Sequence, residues 1–180
     1  SGYNGTVTQA TDMYITTFSM SGATGATFTP SSSYELYCYG DFTYGGTITN
    51  YVMNLYMRGA GATLTYTTAY VASLHIEEST TLATNINILC WTDIPTFDVA
   101  AGKTLTINSG CSLTLYHYNP VAIGFTNSGK ITGTGSINFN LKGYQNMPDL
   151  GNYANTLTMG IRAQSSGTMN CTVNLTEDIS

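Results

Sequence analysis

Charge is what this chain most conspicuously lacks. It has five Lys and Arg and ten Asp and Glu in 180 residues, so 8% of positions are charged where a typical soluble domain has about a quarter. The five basic residues (Arg58, Lys103, Lys130, Lys142 and Arg162) are scattered, and the net charge is −5. Phosphate recognition needs clustered Lys and Arg, so nucleic acid is not an expected partner. Long apolar runs are also missing. Nothing approaches the roughly 18 residues that a membrane-spanning helix requires. The N-terminal stretch SGYNGTVTQA has neither the basic nor the apolar region of a signal peptide. It reads as a cytosolic, processed or excised chain. The four cysteines (Cys38, Cys90, Cys111 and Cys171) show no CxxC spacing, which removes the common zinc and redox motifs. The Gly-rich pieces GAGAT and GTGS lack the following helix of a phosphate loop and read as turns. No segment carries a capped 3.6-residue pattern, so little or no helix is predicted.

What is abundant points to strands. Hydrophobic residues make up 42% of the chain, with 14 Tyr and 19 Gly, and Ser and Thr crowd every segment. Thr and Tyr favour pleated surfaces, while Gly suits tight bends. Apolar residues alternate in short runs: Leu36/Cys38, Leu55/Met57, Leu74/Ile76, Phe97/Val99, Leu113/Leu115, Ile137/Phe139/Leu141 and Leu157/Met159/Ile161. Alternation marks half-buried strands. The runs return at a loose period of about 20 residues, the mark of a stacked repeat. Ile15 and Leu175 extend the series at either end. Second pairs follow within a period, as in Leu64/Tyr66 and Leu105/Ile107, and Gly-containing links (YGGT, GAGAT, AAGK, NSGK) separate them.

The expected fold is therefore all-β: a parallel β-helix, or β-solenoid, of about eight irregular coils forming a single domain over residues 1–180. An antiparallel sandwich or jelly roll is the alternative, since it too has many short strands. Two irregular stretches, NPVAIG (119–124) and residues 142–155, are expected excursions from the coil. Segments such as AAGKTLTINSGCSLTL and NSGKITGTGSINFNL resemble the coils of right-handed parallel β-helix surface proteins. That group includes autotransporter and adhesin passengers, phage tailspikes and pectate-lyase-like enzymes. The resemblance implies a fold without assigning a catalytic residue, because such folds serve adhesion, fibre assembly and polysaccharide cleavage alike.

Stacking brings residues one period apart to about 4.8 Å. The outward positions then form two rows. One reads Tyr37, Tyr56, His75, Asp98, Tyr116, and the other Tyr39, Arg58, Glu77, Ala100, Tyr118. Arg58 is expected beside Glu77, and His75 beside Asp98. Cross-strand pairing alone accounts for such neighbours. A second reading makes the strip a ligand platform, since Tyr offers a flat face and a hydroxyl at low entropic cost. Surface glycans suit such a strip. Glu77 and Asp98, on neighbouring coils, are the carboxylates nearest to a glycosidase pair. His75 with Glu77 and Glu78 gives at most two points of a metal site, short of what zinc needs, so neither metal nor cofactor is expected. Cys90 and Cys111 stand about one period apart. This allows a disulfide or, equally, two thiols stacked in the core. TxT pairs (Thr47/Thr49, Thr63/Thr65, Thr104/Thr106, Thr156/Thr158) raise ice binding as a minor reading, weakened because they drift within the period.

The expected function is a non-enzymatic structural or adhesive module of an extracellular filament, adhesin or viral fibre. It would self-associate as a filament or homotrimer and lie outside the cell, on its surface or on a virion. A polysaccharide-degrading lyase or hydrolase is the alternative.

Overall fold

The computed structural model describes residues 5–20, 27–45, 47–48, 53–67, 70–89, 96–116, 123–140, 161–165 and 167–176. Their nineteen strands follow the chain as a winding coil. The chain begins with β1 (Thr6–Thr8), β2 (Met13–Ile15), β3 (Phe18–Met20) and β4 (Thr27–Thr29). It repeats the circuit as β5 (Glu35–Cys38), β6 (Phe42–Tyr44) and β7 (Thr47–Ile48), then β8 (Asn54–Met57) and β9 (Ala62–Tyr66). Next come β10 (Ser73–Ile76), β11 (Thr80–Leu82) and β12 (Ile86–Ile88), and then β13 (Thr96–Val99), β14 (Thr104–Ile107) and β15 (Ser112–Tyr116). The last circuits are β16 (Ile123–Asn127) with the eleven-residue β17 (Lys130–Asn140), and β18 (Ile161–Ser165) with β19 (Thr168–Thr176).

Each strand pairs in parallel with the strand one circuit on, giving a seven-stranded sheet (β18-β16-β13-β10-β8-β5-β2), a nine-stranded sheet and a three-stranded sheet. An antiparallel sandwich cannot produce these ladders, so the parallel solenoid-like fold stands. The nine-stranded sheet covers two faces of the coil, because β17 and β19 run around the corner without a break.

Alternation decides what faces inward. On the first face Met13, Leu36, Leu55, Leu74, Phe97 and Phe125 form one inner column, and from Leu36 onward its side chains are buried. On the second face the column runs Phe18, Phe42, Leu64, Leu82, Ile107. On the third, Ile86, Leu113 and Ile137 stack. The early coils fill the interior with rings, Phe18 lying 4.8 Å from Phe42 and Tyr44 5.7 Å from Tyr66. A buried phenol needs a partner, and Tyr66 donates to the Tyr70 carbonyl at 3.0 Å. The later coils use Leu and Ile. Cys38 belongs to this core, and burial raises its thiol pKa, as befits an inert packing residue.

The predicted register holds over the middle of the first face and fails at its ends. Met13, not Ile15, lies opposite Leu36. After Phe97/Val99 the ladder continues to Phe125/Asn127, while Leu113/Leu115 lie on the third face beside Ile86/Ile88. Circuits differ in length, 19 residues from Leu55 to Leu74 but 28 from Phe97 to Phe125, so equal spacing in sequence does not mean equal position on the coil. The cysteine pairing rests on equal spacing of this kind, and only one of its two members lies within the described residues. Ile86 sits opposite Leu113, 27 residues on, and the Ser112 amide donates to the Asn85 side chain. Cys111 thus stands beside the segment before Ile86, and Cys90 lies outside the described residues. So do Leu157, Met159 and the excursion at 142–155. Of NPVAIG, Ile123 and Gly124 open β16 and the rest lies outside.

Candidate functional site

The outward side of the first face carries the aromatic and charged residues. Its central row reads Tyr14, Tyr37, Tyr56, His75, Asp98, Thr126. Tyr116 is not part of it. That residue ends β15 on the third face, where it lies opposite Asn140, and Thr126 takes the place foreseen for it. In the neighbouring row the amides of Tyr39, Arg58, Glu77, Ala100 and Ser128 each donate to the previous rung. Ser128 stands where Tyr118 was expected, and Tyr118 lies outside the described residues.

Both expected pairs form. Arg58 Nε donates to Glu77 Oε2, with Nη2 3.4 Å from Oε1, and this bond raises the guanidinium pKa further. His75 Nδ1 meets Asp98 Oδ1. Glu78, turned to the other side of Glu77, receives Lys103 Nζ at 2.6 Å. The Arg58–Glu77 groups are about one third exposed, so solvent screens them and the bridge contributes at most about 1 kcal/mol.

The rings form a column rather than a platform. Tyr14 stacks on Tyr37 at 4.8 Å with 18° between planes, and Tyr56 on His75 at 4.1 Å with 12°. Tyr37 approaches Tyr56 at 4.9 Å, and the Arg58 guanidinium lies 3.9 Å from the Tyr37 ring centroid. Both sides of Tyr37 are therefore in contact with neighbours, which leaves its ring edges rather than its faces to meet a ligand. Tyr14, 63% exposed, ends the column among the described residues.

Glu35 is the site residue that the alternation pattern missed. Its carboxylate accepts from Tyr37 OH and, at 3.1 Å, from Tyr56 OH, and its own amide donates to Asp12 at 3.0 Å. Partial burial, then the charge and hydrogen bond of Glu35, then Asp98 and Glu77 push the Tyr56 pKa up to about 12. An unfolded chain releases this proton near pH 10. A raised folded value means stability fully present below about 10 and lost as pH climbs toward about 12. Glu35→Gln is expected to move the Tyr56 midpoint downward but not fully to the ordinary value, since burial remains. Phenolate absorbance against pH, with Tyr56→Phe identifying the transition, measures this.

The outward side of the second face is a field of hydroxyls. Thr63, Thr81, Thr106 and Thr132 stand in one row that Asn170 completes, and Ser19, Thr43 and Thr65 form another. The TxT pairs drift in sequence, yet the ladder aligns these members. Thr49 and the 156/158 pair lie outside the described residues.

No family model, curated protein or solved structure matches the chain.

Proposed function

We propose that the chain is a structural and adhesive β-solenoid module that joins its neighbours through the ends of the coil, as in an extracellular filament, adhesin, viral fibre or homotrimer. The observation that carries this reading is the last rung among the described residues. Met169 and Val173 lie opposite the buried Ile131 and Ile137 in the inner columns, yet are 38% and 46% exposed. Among the described residues β18 and β19 each have a strand on one side only, as do β2 and β3 at the other end. Unpaired edges over an apolar column invite another parallel rung, from a second copy or a further coil. The scarcity of charge does little to keep copies apart. Glycan contact falls to the ring edges of the tyrosine column rather than to ring faces.

The test is self-association of the purified chain. Light scattering and electron microscopy should show multimers whose proportion grows with concentration. Met169→Lys with Val173→Lys should dissolve them while circular dichroism keeps its sheet signature, because a charge on an edge opposes pairing. A chain that stays monomeric at high concentration overturns the reading. New reducing or unsaturated ends after incubation with a polysaccharide panel would favour the degrading-enzyme alternative.

A further inference from the structure

Ser73, His75 and Asp98 on the first face make a relay that the scaffold role leaves unused. Ser73 and His75 stand two apart on β10 and so share a face. Asp98 lies opposite His75 on β13, and Asn54 opposite Ser73 on β8. His75 Nδ1 meets the Asp98 carboxylate, while Nε2 lies 3.2 Å from Ser73 Oγ. The stacked Tyr56 ring fixes the plane of the imidazole. A hydroxyl beside an imidazole that a carboxylate orients is the arrangement of nucleophile, base and positioning group.

The Ser73 hydroxyl has one proton and two acceptors. It points to Asn54 Oδ1 at 2.8 Å. With the ring neutral and Nδ1–H given to Asp98, Nε2 becomes an acceptor, and rotation about one bond turns the hydroxyl to it. The Asn54 carboxamide then stands beside the attacking oxygen. Its Nδ2 is held by a long 3.4 Å bond to the Ser32 carbonyl, which leaves it available to donate to a developing oxyanion.

We propose that Ser73, His75 and Asp98 form an acyl-transfer site for small, uncharged carboxylic esters. Ser73 Oγ attacks the carbonyl carbon as His75 Nε2 takes its proton. The C–O bond of the ester breaks, the proton passes to the departing alkoxide, and an acyl-serine remains. Water then attacks the acyl carbon, gives a proton through Nε2 to Ser73 Oγ, and releases the carboxylic acid. Nothing is oxidised or reduced. Ser73 is only 7% exposed, so a small acyl group such as acetyl is the one that reaches it. Glu35 and Glu77 on the same face disfavour anionic esters, since Arg58 is already committed to Glu77.

A small, untagged fluorophosphonate and p-nitrophenyl acetate, both chosen to fit the narrow access to Ser73, test this directly. The unmodified protein should carry one phosphonyl adduct, mapped by peptide mass spectrometry to Ser73. Ester cleavage should fall at least ~100-fold in His75→Gln, in line with loss of a general base. Asp98→Asn should lower kcat while KM stays, as expected of a positioning group. Thr106→Val, on the second face, should cleave at the unmodified rate. Absence of an adduct on Ser73 in the folded, unmodified protein overturns the proposal, and so does cleavage that Ser73→Ala leaves unchanged. The mapping result stands even where Ser73→Ala fails to fold.

Discussion

Gly133→Ala is expected to cost about 3 kcal/mol or more, while Gly61→Ala costs about 1. Both glycines have positive φ, 116° and 73°, so the backbone penalty applies to each. The surroundings separate them. A Cβ on Gly61 meets nothing within 4 Å, whereas one on Gly133 would lie 2.1 Å from the Ile107 carbonyl oxygen and 2.9 Å from its nitrogen. Gly133 occupies the inner column of the second face, opposite Ile107, at the point where β17 rounds the corner and its register with β19 shifts. No side chain can yield there, because the obstacle is backbone. Denaturant midpoints of the two variants at equal m-value check the difference. Similar costs for both would mean that β14 and β17 do not approach so closely.

Leu74→Ala is expected to destabilise the fold by about 3 kcal/mol. Leu74 is fully buried and stacks between Leu55 and Phe97. Strands hold it on both sides, so the column has little freedom to close over the missing atoms, and lost apolar burial adds to an unfilled cavity. Tyr14→Ala, at the exposed end of the outer column, removes a larger side chain but should cost under about 1 kcal/mol. Equilibrium unfolding of both variants measures the contrast. A Leu74→Ala protein as stable as the parent would contradict the stacked core.

The sequence reveals alternation well and position on the coil poorly. Leu36, Leu55 and Leu74 are legible as one column because two consecutive circuits have the same length, as the 19 residues from Arg58 to Glu77 show. The Arg58–Glu77 pair follows from that regularity, and the His75–Asp98 pair survives because the next circuit, though 23 residues long, was anchored on Phe97. Beyond it, β15 shows the same apolar alternation in sequence as β13 (Leu113/Leu115 against Phe97/Val99), and nothing local says that it belongs to another face. For that reason the alternation alone places Tyr116 in the wrong row. Glu35 was missed because its role depends on reach across rungs to Tyr56, which alternation does not encode. Ser73 hid among the chain's many serines. Its one visible signal was a position two residues before a histidine, on the same side of a strand. The inward Tyr44 and Tyr66 show the reverse difficulty, since a buried tyrosine looks like an outward one until its neighbours are known.

The parallel ladders also determine how the molecule would respond to tension. Hydrogen bonds between rungs lie along the stacking direction, so a pull on the two ends of the coil loads successive rungs in series. The bonds that join one rung to the next then open one after another rather than sharing the load, and each rung depends mainly on its immediate neighbours. Such a body peels at low force and pays out chain stepwise, a short length between Leu36 and Leu55 and a longer one between Phe97 and Phe125. The unbroken course of β17 around the corner ties two faces into one release step. Pulled lengthwise the coil behaves as an extensible tether, and pressed from the side its packed columns make it a stiff rod.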